Sequence, residues 1–206
     1  MPHTRWRASS RWRGRPSTLA ILAGGLWLFG AGEAFLVDAG IGVSPWTVLA
    51  QGVGTRSGIG IGTATFLISV AVLLLWVPLR ERPGLGTLSN AVIVALSLGV
   101  TVPLLPSPDA ALGKLAFVLL GIGLIGVGSG LYLTTAMGPG PRDGLMTGLH
   151  RHTGLPVTPV RLAIEVSVLV VGWLLGGTVG IGTVLFALLV GPAVGYGLAL
   201  VSRTRV

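Results

Sequence analysis

The sequence predicts an all-α polytopic membrane protein. Its six transmembrane helices form two inverted-topology three-helix repeats, each with a short Pro-initiated helix that is re-entrant or interfacial. Three observations lead there. Hydrophobic residues make up 51% of the chain and charged residues only 10%, where a soluble domain carries about 25% charged residues. Six apolar runs approach the roughly 20 helical residues that cross a bilayer core. The chain also repeats itself: Leu19–Leu105, moved forward by 96 positions, falls on Leu115–Val201 without a gap. The shift carries Gly25, Gly30 and Gly32 onto Gly121, Gly126 and Gly128, and Gly42 and Pro45 onto Gly138 and Pro141. It also carries Gly84-Leu85-Gly86-Thr87 onto Gly180-Ile181-Gly182-Thr183.

The elements follow in order. Residues 1–17 form a basic tail with Arg5, Arg7, Arg11, Arg13 and Arg15 ahead of the first apolar run. That run is too long for a signal-peptide core and has no small-residue cleavage site after it, so it is expected to stay as a span. Repeat one covers 18–105, with crossings at Thr18–Val37, Thr63–Leu79 and Leu85–Leu104. A linker at 106–114 leads to repeat two at 115–201, with crossings at Leu115–Thr135, Val157–Leu175 and Ile181–Leu200, and then to a tail at 202–206. Continuous apolar runs, rather than alternating segments, argue against a barrel. Two shorter segments, 44–55 and 140–151, are equivalent under the shift. Ser44 is placed to cap the first with Pro45 in its first turn, and Gly140 and Pro141 take those places in the second. At about 18 Å as helix, neither is long enough to cross.

Charge sets the expected orientation. With six crossings and both termini inside, twelve of the fourteen basic residues face the inner side and only Arg56 and Lys114 the outer. Three crossings per repeat is an odd number, so the second copy is inverted relative to the first. The net charge of +8 is therefore topogenic and lipid-contacting, and no nucleic-acid partner is expected. With no cysteine, three histidines and no HExxH, no metal site or cofactor is expected. Gly84–Thr87 and Gly180–Thr183 lack the lysine of a phosphate loop and are read as helix starts. Ser44 and the histidines His150 and His152 fall at opposite faces, so no hydrolytic dyad forms and no enzyme activity is expected.

The stretches Gly40-Ile-Gly-Val-Ser-Pro-Trp46, Gly138-Pro-Gly-Pro-Arg-Asp-Gly-Leu-Met146 and Gly176-Gly-Thr-Val-Gly-Ile-Gly-Thr183 resemble those of the YczE/YyaS/YitT family of bacterial integral membrane proteins, the YczE branch above all. The resemblance covers nearly all of the chain after residue 18. It implies a multi-pass protein of the bacterial cytoplasmic (inner) membrane. It implies no settled activity and supplies no catalytic or ligand-binding residues.

Candidate site residues come from the sequence itself. The helix beginning at Gly140-Pro141 presents free backbone N–H groups, and Arg142 adds a planar donor fork, together suited to a carboxylate or phosphate. Asp143 reads either as part of that site or as a first-turn acid that only stabilises its helix. Ser44 and Trp46 are the counterparts in repeat one, either lining the opposite entrance or serving as a cap and an interfacial aromatic. Glu33 and Glu165 lie inside crossings, where acids are costly and face a bundle interior or water. Their counterparts are Ser129 and Ser69, so one copy is acidic where the other is not. They read as proton-coupling groups or as hydrogen-bonding glue, and Arg161, four residues before Glu165, invites a local ion pair.

The expected function is a secondary transporter or carrier of a small, anionic or zwitterionic solute, with proton coupling. The alternative is a non-transporting scaffold or accessory protein that supports another membrane or biosynthetic complex. The expected partners are the bilayer, the solute and, given the small size, a second copy in a homodimer. Transport predicts that Glu33, Glu165 and the two short-helix tips share one internal cavity. A scaffold predicts a packed interior with polar groups satisfied locally.

Overall fold

The computed structural model describes residues 4–202, and among them every regular element is helical. In chain order these are α1 (Pro16–Ala39), α2 (Pro45–Ser57), α3 (Ile61–Leu75), α4 (Leu85–Thr101), α5 (Ala111–Thr134), α6 (Pro141–Thr153), α7 (Val157–Leu174) and α8 (Ile181–Ser202). A short 3-10 turn, Val102–Leu104, extends α4. The helices start and stop where backbone chemistry dictates. Proline occupies the first turn of α1, α2 and α6, where its missing N–H is no loss. Left-handed glycines end the same three helices, with φ of 66° at Gly40, 70° at Gly58 and 71° at Gly154. Both ends of α2 and α6 differ by the same 96 positions that relate the two halves of the sequence.

Helices α1, α4 with its 3-10 turn, α5, α7 and α8 are each long and apolar enough to cross a bilayer. The sixth expected crossing is not a straight helix over Thr63–Leu79. Helix α3 stops at Leu75, and Trp76 and Val77 turn away by bonding the carbonyls of Leu73 and Leu74. With 15 residues, or about 22 Å, α3 is short on its own. It makes a sixth span only together with α2, to which it is joined at a 114° bend. Outward faces carry Leu74, Leu112, Trp173, Ile181 and Leu188, which are 62–79% exposed. Such surfaces are stable against lipid and not against water.

The bundle is built around α1 crossing α5. Glycines set the approach: a Cβ on Gly128 would lie 2.6 Å from the Gly25 carbonyl oxygen, and one on Gly121 2.6 Å from that of Gly32. Under the shift of 96 these two contacts exchange partners. The same holds outward, where Gly30 meets Ser97 of α4 and Gly126 meets Ala193 of α8. Replacing Gly128 with valine should therefore separate α1 and α5 and abolish recovery of monodisperse protein from detergent. Gly123→Val on the same helix meets open space, and its yield should stay within about two-fold of the wild type.

Each half is also latched to the other by a loop. After α1 the chain turns at Gly42 (φ 114°), and after α5 at Gly138 (φ 122°), backbone that only glycine adopts without strain. The Gly182 N–H then donates to the Ile41 carbonyl at 2.8 Å and the Gly86 N–H to that of Met137 at 2.9 Å. The symmetry is incomplete, for α3 packs along α4, whereas α7 and α8 share no interface of comparable extent. The basic N-terminal segment is not a loose tail over its described part. Ala8 N–H donates to the Thr135 carbonyl, Leu85 N–H to that of Arg11, and the Trp6 indole to Thr134 Oγ1.

Candidate functional site

The loop at Gly40–Ser44 runs back alongside α1, so that α2 starts beside Glu33 rather than beside the end of α1. Glu33 lies six residues before Ala39, which places the start of α2 roughly 9 Å back along α1. There Ser44 Oγ lies 2.8 Å from Glu33 Oε2, and Thr47 Oγ1 donates to the same oxygen at 2.8 Å. Ser44 thus does not cap α2 with its side chain as expected; no side-chain cap bond forms. Its hydroxyl goes to Glu33, whose carboxylate faces the positive end of α2 in the place a bound anion would take. All three residues are buried, Glu33 to 1% exposure. The result is a tie between α1 and the tip of α2.

The tip of α6 is arranged differently. Asp143 lies in its first turn and accepts a hydrogen bond from the Tyr132 hydroxyl of α5 at 3.1 Å. Trp76, pinned by its indole N–H to the Pro141 carbonyl at 3.0 Å, packs against Gly144. Arg142 reaches across to α2, its guanidinium 5.2 Å from the centre of the Trp46 ring. The tips of the two short helices therefore face one another inside the protein, bridged by this side-chain contact.

Between the tips is a cavity of about 140 Å³. For scale, an engineered cavity of about 150 Å³ holds one benzene. Glu33, Ser44, Trp46, Gly140, Arg142, Asp143 and Glu165 all line it. So do Ser69, Asn90, Ser129, Tyr132 and Arg161. The lining is organised by the internal repeat: Ser44 and Gly140, Trp46 and Arg142, Glu33 and Ser129, Ser69 and Glu165, and Asn90 and Phe186 are pairs 96 apart. Each of these five pairs places a different chemistry on the two sides, while Phe29 with Ile125 and Val94 with Val190 are apolar on both.

Its electrostatics are unbalanced in a specific way. Arg161 Nε donates to Glu165 Oε1 at 2.9 Å, the local pair its spacing suggests. Glu33 has its two hydroxyls and Asp143 its tyrosine. Arg142, among the described residues, has no carboxylate within 4.0 Å; the ion pairs are Arg151–Glu81 and Arg161–Glu165. Arg142 is half-buried against the Trp46 ring, a contact worth about 0.5–2 kcal/mol. The Trp46 indole N–H, on a side chain 6% exposed, also has no acceptor. Two donors, one of them charged, thus line the cavity beside the free N–H groups of the α6 tip.

Tyr132, Asn90 and Thr47 were not singled out from sequence. Asn90, a polar residue inside an apolar run, was the legible signal among them. His150, whose Nδ1 lies 2.5 Å from the Leu155 carbonyl oxygen, and His152 sit in the last turn of α6, away from this cavity.

An all-helical chain with five or six apolar spans, lipid-facing side chains and a polar chamber at its centre is an integral, multi-pass membrane protein. Its residues 16–197 match the family described as "Family of unknown function (DUF6198)", and the chain belongs to that family. It is 45% identical to an "Uncharacterized protein" of Haemophilus influenzae over 203 residues, 98% of this chain and 93% of the relative. It is 33% identical to the "Uncharacterized membrane protein YczE" of Bacillus subtilis over 88% of this chain and 82% of that one. It is 27% identical to "Uncharacterized protein YyaS" of the same organism over 87% and 91%. Membership of the YczE/YyaS group, nearer YczE than YyaS, follows. No solved structure matches the chain.

Proposed function

We propose that this protein is a secondary carrier that moves a small carboxylate-bearing solute across the cytoplasmic membrane, both termini facing the cytoplasm. The observation that carries the reading is the convergence of both short-helix tips, Glu33, Glu165 and the unpaired Arg142 on one cavity. A scaffold has no need to line a cavity with a cation that makes no direct ion pair. The solute's carboxylate meets the Arg142 fork, the Trp46 indole N–H and the α6 tip. The cavity volume limits it to about six non-hydrogen atoms, by comparison with the benzene-sized cavity.

In this reading the two halves are inverted repeats and α2 and α6 are re-entrant helices entering from opposite faces. The cavity lies where their tips meet, the position such architectures use for substrate. The Gly25–Gly128 and Gly32–Gly121 contacts form the pivot on which one half rocks against the other. Proton coupling runs through Glu33. A proton on Glu33 removes the charge that α2's tip faces and loosens the tie between α1 and α2. No bond is made or broken in the solute, so no catalytic residue is assigned.

The test is uptake by proteoliposomes of the full chain, with labelled monocarboxylates of three to six non-hydrogen atoms and an imposed pH gradient. Accumulation above protein-free vesicles, abolished by a protonophore, is the expected result. Uptake of no member of the set overturns the reading.

A further inference from the structure

The internal repeat supplies a template for what the α6 tip lacks. At the α2 tip the Glu33 carboxylate takes the place of an anion and two side chains attend it: Ser44 Oγ lies 2.8 Å from Glu33 Oε2 and 3.0 Å from Thr47 Oγ1. Moved by 96 positions, Glu33, Ser44 and Thr47 become Ser129, Gly140 and Asp143. The α6 tip therefore has the same three places with different contents. Serine at 129 ends where glutamate would go on to a carboxylate. Glycine at 140 has no hydroxymethyl. Where Thr47 offers a hydroxyl, Asp143 offers an acceptor.

The space that Gly140 leaves is bordered by polar atoms. A Cβ built there would lie 3.3 Å from Asn90 Nδ2 and 3.4 Å from Asp143 Oδ2. Asn90 lines the cavity and makes no hydrogen bond among the described residues. The same is true of Ser129, which is 4% exposed. Packing does not call for an amide at 90, since its counterpart in the cavity lining is Phe186. The Tyr132 hydroxyl donates to Asp143 Oδ2, and no described group donates to Oδ1. Asp143 is exposed where it lines the cavity, so an entering solute reaches it. The place in front of Gly140 thus suits a small group that accepts one hydrogen bond and donates another. A hydroxyl does both, as Ser44 Oγ does at the α2 tip. An ammonium only donates, leaves the Asn90 N–H unanswered and adds a second cation beside Arg142. A methyl does neither.

We propose that the solute is a short 2-hydroxycarboxylate, its hydroxyl lying in front of Gly140, where it accepts from Asn90 and donates to Asp143. The inference rests on the carboxylate pole of the carrier reading, Arg142 with the Trp46 indole N–H. At about 140 Å³ the chamber is small enough for one such solute to touch both poles. Asn90 is then the residue that sets specificity.

The test compares propanoate with 2-hydroxypropanoate, which share a carbon skeleton, on the full chain. Binding is read in detergent by tryptophan fluorescence, since Trp46 lines the cavity, and uptake is read in proteoliposomes. Wild type should favour the hydroxy acid by about 30-fold in binding, the effect of one neutral and one charged hydrogen bond. Asn90→Val should bring that ratio down to about five-fold, the share left to Asp143. Gly140→Ser restores the hydroxyl of repeat one covalently and should lower binding of the hydroxy acid by about 30-fold; it carries the test if Asn90→Val is not recovered. Preferred binding of the hydroxy acid without uptake would sink the carrier reading and keep this site. Equal binding and uptake of the two acids would sink the proposal and leave the carrier standing. Binding of neither acid, or tighter binding of 2-aminopropanoate than of the hydroxy acid, overturns it as well, the latter by assigning Asp143 to an ammonium.

Discussion

Substituting Arg142 with glutamine should lower solute uptake by about 100-fold while leaving the protein folded and inserted. The guanidinium makes no ion pair within 4.0 Å among the described residues, so its removal breaks no salt bridge. What is lost on the protein side is its contact with the Trp46 ring, at 5.2 Å from the centroid. What is lost on the solute side is a charged, two-pronged donor, each hydrogen bond to a charged group being worth about 1.5–3 kcal/mol. Arg142→Lys keeps the charge and loses the fork, and should fall between the two. Uptake measured in proteoliposomes, with melting in detergent as the control for folding, reads both variants. A melting loss as large as the uptake loss would mean that Arg142 holds the structure and does not hold a solute.

Glu33→Ala should do the reverse and act first on stability. It removes the acceptor of the Ser44 and Thr47 hydroxyls and the charge facing the α2 tip, all in a buried setting. The expected loss is about 3–5 kcal/mol. That corresponds to a fall of roughly 10 °C in the melting midpoint for a chain of this size. Glu33→Gln retains an acceptor and should lose less than half as much, while removing the titratable group and with it the response of uptake to a pH gradient. Ser44→Ala and Glu33→Ala together should destabilise by less than the sum of the two, because they remove the same contact.

Much of this architecture could be read directly from the chain. Proline after Ser44 and Gly140 marked the starts of the short helices to within one residue, and their expected ends at 55 and 151 fall two residues short of the observed ones, where Gly58 and Gly154 stop them. Backbone restrictions at those residue types act locally, so they survive in any tertiary setting. That Glu33, Glu165 and the two short-helix tips share one space was legible only as a consequence of the transport reading, acids inside crossings having few places to face but a bundle interior or water. What could not be read were the partners. Ser44 has one hydroxyl proton and two competing uses, capping its own helix or bonding a distant carboxylate, and only the fold-back at Gly42 brings Glu33 within reach. The early end of α3 was hidden because Trp76 and Val77 are as apolar as the helix before them, and a hydropathy pattern does not see the turn they make. The arm across the loop from α5 to α6 was hidden for a related reason. Its contacts are mostly backbone hydrogen bonds, to which side-chain patterns are blind.

The most direct test of the central claim, a solute-accessible chamber between the tips of α2 and α6, is thiol labelling. The chain has no cysteine, and Ser69 and Ser129 line the cavity on opposite sides of its repeat symmetry. Ser69→Cys and Ser129→Cys are nearly isosteric changes that leave Arg142 and Glu33 intact. The account predicts that a membrane-impermeant thiol reagent labels both cysteines in oriented vesicles, and that a transported carboxylate slows labelling by about ten-fold, the protection expected of a shared, occupied chamber. If neither cysteine is labelled from either face while Arg56→Cys at the exposed end of α2 reacts freely, the chamber is sealed. The protein would then be a packed scaffold in which Arg142 serves structure alone.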